Sequence, residues 1–277
     1  MMENMQVILD LFPDAVIAGV VIAAVCAVLG VFVILKRVVF IGIALSEVAA
    51  CGIAAAMIYD VHPFLGAAVL TLATVVVLSC PFEGNRLPRD AILGIIFVLA
   101  SATSILLVAK SGFGLEEVKA LLYGDLILTS EKDLRIILTT FVPVGLYLLA
   151  FIRPTLYTFL DREAARVLGV RVALWELLYF FSLGLAVSAA SKVAGALLVF
   201  CYLVVSPSTA LLLSRRLGVV VVVAALAAIA TTAVGLYVSF TQDLPTNQTI
   251  ATVACLVLGA AVAANLVCRV TARALGR

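Results

Sequence analysis

Asp161-Arg162-Glu163-Ala164-Ala165-Arg166-Val167-Leu168-Gly169-Val170-Arg171 is a small charged island between two long apolar stretches. Acidic residues open it, Arg166 follows, and Gly169 is placed to end it. That is the order expected for a short helix with a complementary dipole and a glycine C-cap. Almost everything around it is long apolar run or short connector. A charged helix in that setting reads as one that lies on the cytoplasmic surface and docks onto a partner the chain itself lacks.

The surrounding composition fixes the class. Of 277 residues, 65% are hydrophobic and only 12% charged, and the mean hydropathy of +1.28 belongs to a polytopic helical membrane protein. A span takes about 20 apolar residues. On that measure nine stretches qualify: 15–35, 39–59, 63–80, 91–109, 134–151, 173–191, 193–214, 218–240 and 249–268. The sixth and seventh almost merge at Ser191-Lys192, so eight helices with one broken is the other count. The fold class is all-α, with about eight to nine transmembrane helices and one short surface helix. Glu3, Asp10 and Asp14 precede the first run, and the first basic residue is Lys36. This is the wrong charge for a secretory signal, so the run is expected to stay as a helix.

Charge sets the orientation. With nine spans and an external N-terminus, Lys36, Arg37, Arg86, Arg89, Arg153, Arg162, Arg166, Arg171, Arg215, Arg216, Arg269, Arg273 and Arg277 fall inside. Only Lys110, Lys119, Lys132, Arg135 and Lys192 fall outside. The bias follows the positive-inside rule and inverts if the chain is flipped. The C-terminus and the charged island are therefore expected in the cytoplasm. Residues 111–133 form an external acidic segment, with an apolar piece at 118–124 that reads either as loop or as an interfacial helix.

Several chemistries are excluded. There is no GxxxxGK[ST] loop to hold ATP, no HExxH, no GxSxG elbow, and a single histidine, His62. The six cysteines (26, 51, 80, 201, 255 and 268) form no CxxC pair, and most read as small buried hydrophobes. His62, beside Asp60 and before Pro63, reads as an interfacial polar residue. Glu176 reads as snorkelling or paired with Arg171, and the loop 83–90 as a solvated turn.

Three further segments stand out. Lys36-Arg37-Val38-Val39-Phe40-Ile41-Gly42-Ile43-Ala44-Leu45-Ser46-Glu47 leads into Gly52-Ile53-Ala54. Val193-Ala194-Gly195-Ala196-Leu197-Leu198 and Ser206-Pro207-Ser208-Thr209-Ala210 follow the island after one span, and Asp243-Leu244-Pro245-Thr246-Asn247-Gln248-Thr249 precedes the last. Together, from about residue 15 to 268, they resemble the permease subunit of bacterial metal-ion ABC importers, which take up zinc, manganese or iron. The resemblance implies a single permease domain over 1–277 and a homodimer in the bacterial inner membrane. It also implies two ATP-binding subunits and an extracytoplasmic solute-binding protein. This chain would bind no cofactor and catalyse no reaction; ATP and magnesium would belong to the partner, and a divalent metal would be cargo. The island becomes the coupling helix at about 160–170, with Asp161, Arg162, Glu163, Arg166 and Gly169 on the ATPase.

In that family the second span usually carries an Asp and, four residues on, a His facing the path. The matching positions here are Ile43 and Glu47. Glu47 is the sharpest residue in the chain, since a carboxylate inside a span costs about 2.5–3.5 kcal/mol and is functional by default. Glu47 is the candidate metal ligand, and Ile43, Ser46, Cys51 and Ser206 are candidate path residues. A structural, hydrogen-bonded Glu47 at a dimer contact is the alternative. The small residues Gly42, Ala44, Ser46, Ala49, Ala50, Gly52, Ala54, Ala55 and Ala56 read as a close-packing face, with the dimer contact as one occupant. Pro207 interrupts the seventh span, leaving Ser206 and Ser208 either to satisfy freed backbone or to line a polar path. Thr246 or Asn247 is expected to N-cap the last helix. Two other cargo readings stay open: a chelated metal or non-metal solute on the same architecture, and a proton-coupled secondary transporter using Glu47.

Overall fold

The computed structural model describes residues 11–79, 88–111, 124, 126–160, 162–167 and 169–274. Every regular element among them is helical: α1 (Pro13–Leu35), α2 (Phe40–Ile58), α3 (Pro63–Ser79), α4 (Arg89–Ser111), α5 (Glu131–Leu160), α6 (Arg162–Val167), α7 (Val172–Leu213), α8 (Leu217–Gln242) and α9 (Thr246–Ala274). Seven are long and apolar enough to cross a membrane, and α3 is a shorter apolar helix. In hydrocarbon a helix satisfies its own backbone groups, which is why a sequence this apolar resolves into helices alone.

The 42 residues of α7 would reach about 63 Å as one straight helix, twice a bilayer core. Contacts show that it doubles back instead. Glu176 meets Lys36 at the end of α1, and Tyr179 donates to the Leu29 carbonyl. Lys192 reaches Asp133 in the first turn of α5, at the opposite end of the bundle. Beyond that point Ala194 accepts from Asn247 and Leu212 from Asn265, so this second half runs parallel to α9. The reversal falls at Gly195 (φ 67°, ψ 165°), in a region closed to residues with a side chain. α7 is thus two spans, α7a (172–194) and α7b (196–213), and with α3 the described residues hold nine apolar helices, in line with the expected eight to nine. The turn lies a few residues beyond Ser191-Lys192, because only Gly195 can supply the backbone angles.

α5 also differs from expectation. It runs past 151 to Leu160, with a break at Phe151 (φ −117°, ψ 22°) three residues before Pro154. Pro154 gives no N–H and crowds the preceding turn; the Thr155 hydroxyl donates to the Phe151 carbonyl at 2.8 Å. Phe151 packs on Trp175, while Phe159 packs on Tyr179 and Phe32. The piece after the break therefore folds back along the bundle end.

Close backbone approaches set the crossings. A Cβ added at Gly52 of α2 would stand 2.7 Å from the Gly66 carbonyl carbon of α3. One at Gly30 of α1 would stand 2.6 Å from the Leu203 carbonyl carbon of α7b, and one at Gly235 of α8 would stand 2.6 Å from Ile250 Cα of α9. Leu203 is four residues before Pro207, so its carbonyl has lost its helical donor. That oxygen faces Gly30, where only a bare Cα fits. The small-residue face of α2 is likewise consumed within the chain, against α3, α4 and α7.

Candidate functional site

α2 holds Glu47 about 10 Å above its first residue, at 1.5 Å per residue. The residue is only 9% exposed. Ser101 of α4 presents its hydroxyl to the carboxylate, and Oε2 is buried with no hydrogen-bond partner among the described residues. One turn on, Cys51 is buried in a small cluster with Val48 and Ala100 of α4. It lines a groove of about 390 Å³ between α2, α3 and α4, together with Thr74 and Thr103. Ile43, one turn before Glu47, is half-buried. The structure thus puts Ile43, Glu47 and Cys51 on one strip of α2, as their spacing of four demands.

The other expected path residues behave differently. Ser46 is fully buried and donates to the Gly42 carbonyl of its own helix at 2.9 Å. Ser206 is buried on α7b, beside Pro207, and its Oγ has no partner among the described residues. No group of three or more metal-binding side chains occurs among the described residues.

The charged island forms α6, a single turn and a half from Arg162 to Val167; Asp161 lies outside the described residues. Gly169 (φ 78°) ends it as expected: its N–H donates to the Arg166 carbonyl at 3.0 Å, and the Val170 N–H to Ala165 at 3.0 Å. This pair of bonds is the Schellman cap. Ala165 is the buried anchor, while Glu163, Arg166 and Val167 project outward, Val167 with 88% of its surface free.

Sequence reasoning missed three functional-looking contacts. Glu176 pairs with Lys36 at 2.9 Å; this partner lies 140 residues away in sequence, and only the helix bundle brings it close. Asn247 does not N-cap α9. Its Nδ2 donates to the Ala194 carbonyl at 3.0 Å and its Oδ1 accepts the Leu126 N–H at 3.4 Å, pinning the 126–130 segment to the Gly195 turn. His62 accepts the Phe64 N–H at 3.3 Å through Nδ1 and so caps α3, a role its place before Pro63 could have disclosed. Cys26, Cys51 and Cys201 are buried thiols, but Cys255 is exposed on α9. The 118–123 piece and the loop at 80–87 lie outside the described residues.

Comparison with known proteins decides the family, since the ABC 3 transport family matches residues 9–265. The chain belongs to the ABC 3 transport family. It is 28% identical over 242 residues to the manganese transport system membrane protein MntC of Halalkalibacterium halodurans, covering 87% of this chain and 82% of the relative. It is 29% identical over 247 residues to the chelated iron transport system membrane protein YfeC of Yersinia pestis, covering 88% and 82%. Against the zinc uptake system membrane protein ZnuB of Haemophilus influenzae, identity is 27% over 200 residues, covering 72% and 76%. Among solved structures it superposes on PsaBC from Streptococcus pneumoniae, bound to Fab, with a TM-score of 0.84 and 21% identity over 94% of this chain and 95% of that one. This ABC 3 permease is therefore a multi-pass membrane transport protein.

Proposed function

We propose that the chain is the membrane subunit of an ATP-driven importer of divalent metal ions, with Glu47 as a transient cargo ligand. The observation that carries the cargo path is the nearly buried Glu47 carboxylate, with one oxygen free beside Ser101. An ionisable group in a span is retained for a partner it meets during function. The relatives named for manganese, iron and zinc transport support a first-row divalent cation. A carboxylate with a thiol one turn away is a serviceable weak ligand pair for such ions.

The motor is a separate chain. The sequence has no P-loop, whereas α6 offers Glu163, Arg166 and a bare Val167 for docking. Lys/Arg sorting supports an orientation with α6 and the C-terminus on the cytoplasmic side and the Asn247 end outside, in the inner membrane of a bacterium. Two copies of this chain, two ATPase subunits and an external solute-binding protein complete the importer. A second reading keeps the architecture and moves a chelated metal; Ile43 favours it, because it removes one ligand from the usual pair.

The test is reconstitution with the ATPase and binding protein, following uptake of Mn, Zn and Fe ions. Glu47→Ala should lower cation uptake at least ~tenfold, the loss that even outer ligand partners cause. Normal uptake by both Glu47→Ala and Glu47→Gln removes Glu47 from the path. Uptake that ignores free cations but accepts their chelates selects the second reading, and proton-driven uptake without ATPase overturns both.

A further inference from the structure

The Lys36 end of the bundle contains a group that the permease reading leaves unused. Lys36 follows α1 directly and stands one residue before Arg37, which takes the left-handed backbone (φ 60°) that turns the chain into α2. Its ammonium lies 2.9 Å from Glu176 Oε1, and both side chains are nearly buried, at 11% and 15% exposure. It also sits over two aromatic faces, 4.8 Å from the Phe159 ring centre and 4.6 Å from that of Phe180. Such cation–π contacts strengthen as water is removed.

The origin of these walls matters. Phe159 lies three residues before α6, on the refolded piece of α5. Glu176 and Phe180 belong to the first turns of α7a, directly after α6. The two segments that suspend α6 thus close on one ammonium, and that ammonium stands four residues before the helix carrying Glu47. Phe159 and Phe180 also pack on Tyr179, which is tied to the Leu29 carbonyl at 2.7 Å. This makes the cage one packed body, able to move as a unit.

We propose that Lys36 is a positioning residue for transport, a clamp through which displacement of α6 is delivered to the inner end of α2. This rests on the ATP-driven reading above. An ordinary stabilising ion pair would contribute to folding alone, whereas a clamp sets how much transport each ATP produces.

The test uses the full complex in liposomes and measures two quantities, ATP hydrolysed and cation taken up. Removing one charge strands the other in a dry site, so the informative variant is the double change Lys36→Met with Glu176→Gln. We expect assembly with the ATPase and hydrolysis within about threefold of wild type, but cation moved per ATP lowered roughly tenfold, within the usual range of site-to-site coupling. Lys36→Arg, which keeps charge and stacking, should stay near the wild-type ratio. Phe159→Leu keeps the ion pair and should lower the ratio by a smaller factor, which preserves the test if the double variant fails to fold. An unchanged ratio in a folded double variant, or in Phe159→Leu, overturns the clamp while leaving the importer intact. A wild-type complex without ATP-linked uptake overturns both.

Discussion

α2 and α9 are both apolar enough to span a membrane, yet 78% of the most apolar stretch of α2 is buried in the protein and only 11% of that of α9. Hydrophobicity does not separate them; side-chain size and backbone approach do. α2 brings Gly42, Gly52 and a run of alanines to neighbours at contact distance, whereas Gly259 of α9 has nothing within 4 Å of where a Cβ would stand. In lipid the tails are as apolar as leucine, so burial follows from close fit rather than from escape from water. The helix with the tightest fit is also the one that shelters the carboxylate.

The widest gap should appear when size is changed on each helix. Gly52→Leu would drive a side chain into the Gly66 backbone, and no rotamer relieves that. The expected cost is ~3 kcal/mol or more, read as a large fall in melting temperature or loss of a monodisperse peak. Gly259→Leu should stay within about 0.5 kcal/mol by the same melt. Equal effects at the two sites would break the comparison.

An intermediate effect is expected where α9 does make a specific contact. Asn247→Ala leaves the Leu126 N–H and the Ala194 carbonyl without their side-chain partner, which should cost about 1–2 kcal/mol. It should also loosen the turn, so hydrogen exchange at Leu126 should quicken in the purified protein. Protection at Leu126 that matches wild type would assign the pinning to other contacts. The smallest effect should come from Tyr202→Phe, which deletes a 2.6 Å hydrogen bond between α7b and Thr232 of α8. Thr232 keeps its bond to the Ala228 carbonyl, so about 0.6 kcal/mol is expected by chemical or thermal unfolding, the mean for such bonds in membranes.

Much of the architecture was legible in the sequence because span length and helix-capping residues are one-dimensional signals. The nine apolar runs and the capped island around Gly169 needed no tertiary information. The position of the α7 turn was partly legible: Gly195 carried the signal, but the eye is drawn to the charge at Lys192. The candidate site was legible at Glu47 and along its strip, since a carboxylate in an apolar run declares itself. The Lys36–Glu176 pair, the Asn247 bridge and the Ser101 hydroxyl opposite Glu47 were not, because each joins residues from different helices and depends on rotation about helix axes. Hydropathy, uniform around these helices, carries no record of that rotation.

The connectors on either side of α2 have a mechanical consequence. Each is four residues long, 36–39 and 59–62, and each passes through a non-glycine residue in left-handed backbone, Arg37 and Asp60. Neither has slack to give. α2 is strung between them like a shaft between two bearings, unable to slide along its own axis without breaking a turn. Any stroke that reaches Glu47 must therefore be a roll or a tilt. On the proposed path, cargo would pass Glu47 not by the carboxylate travelling through the bilayer, but by a fixed depth being shown first to one side and then to the other.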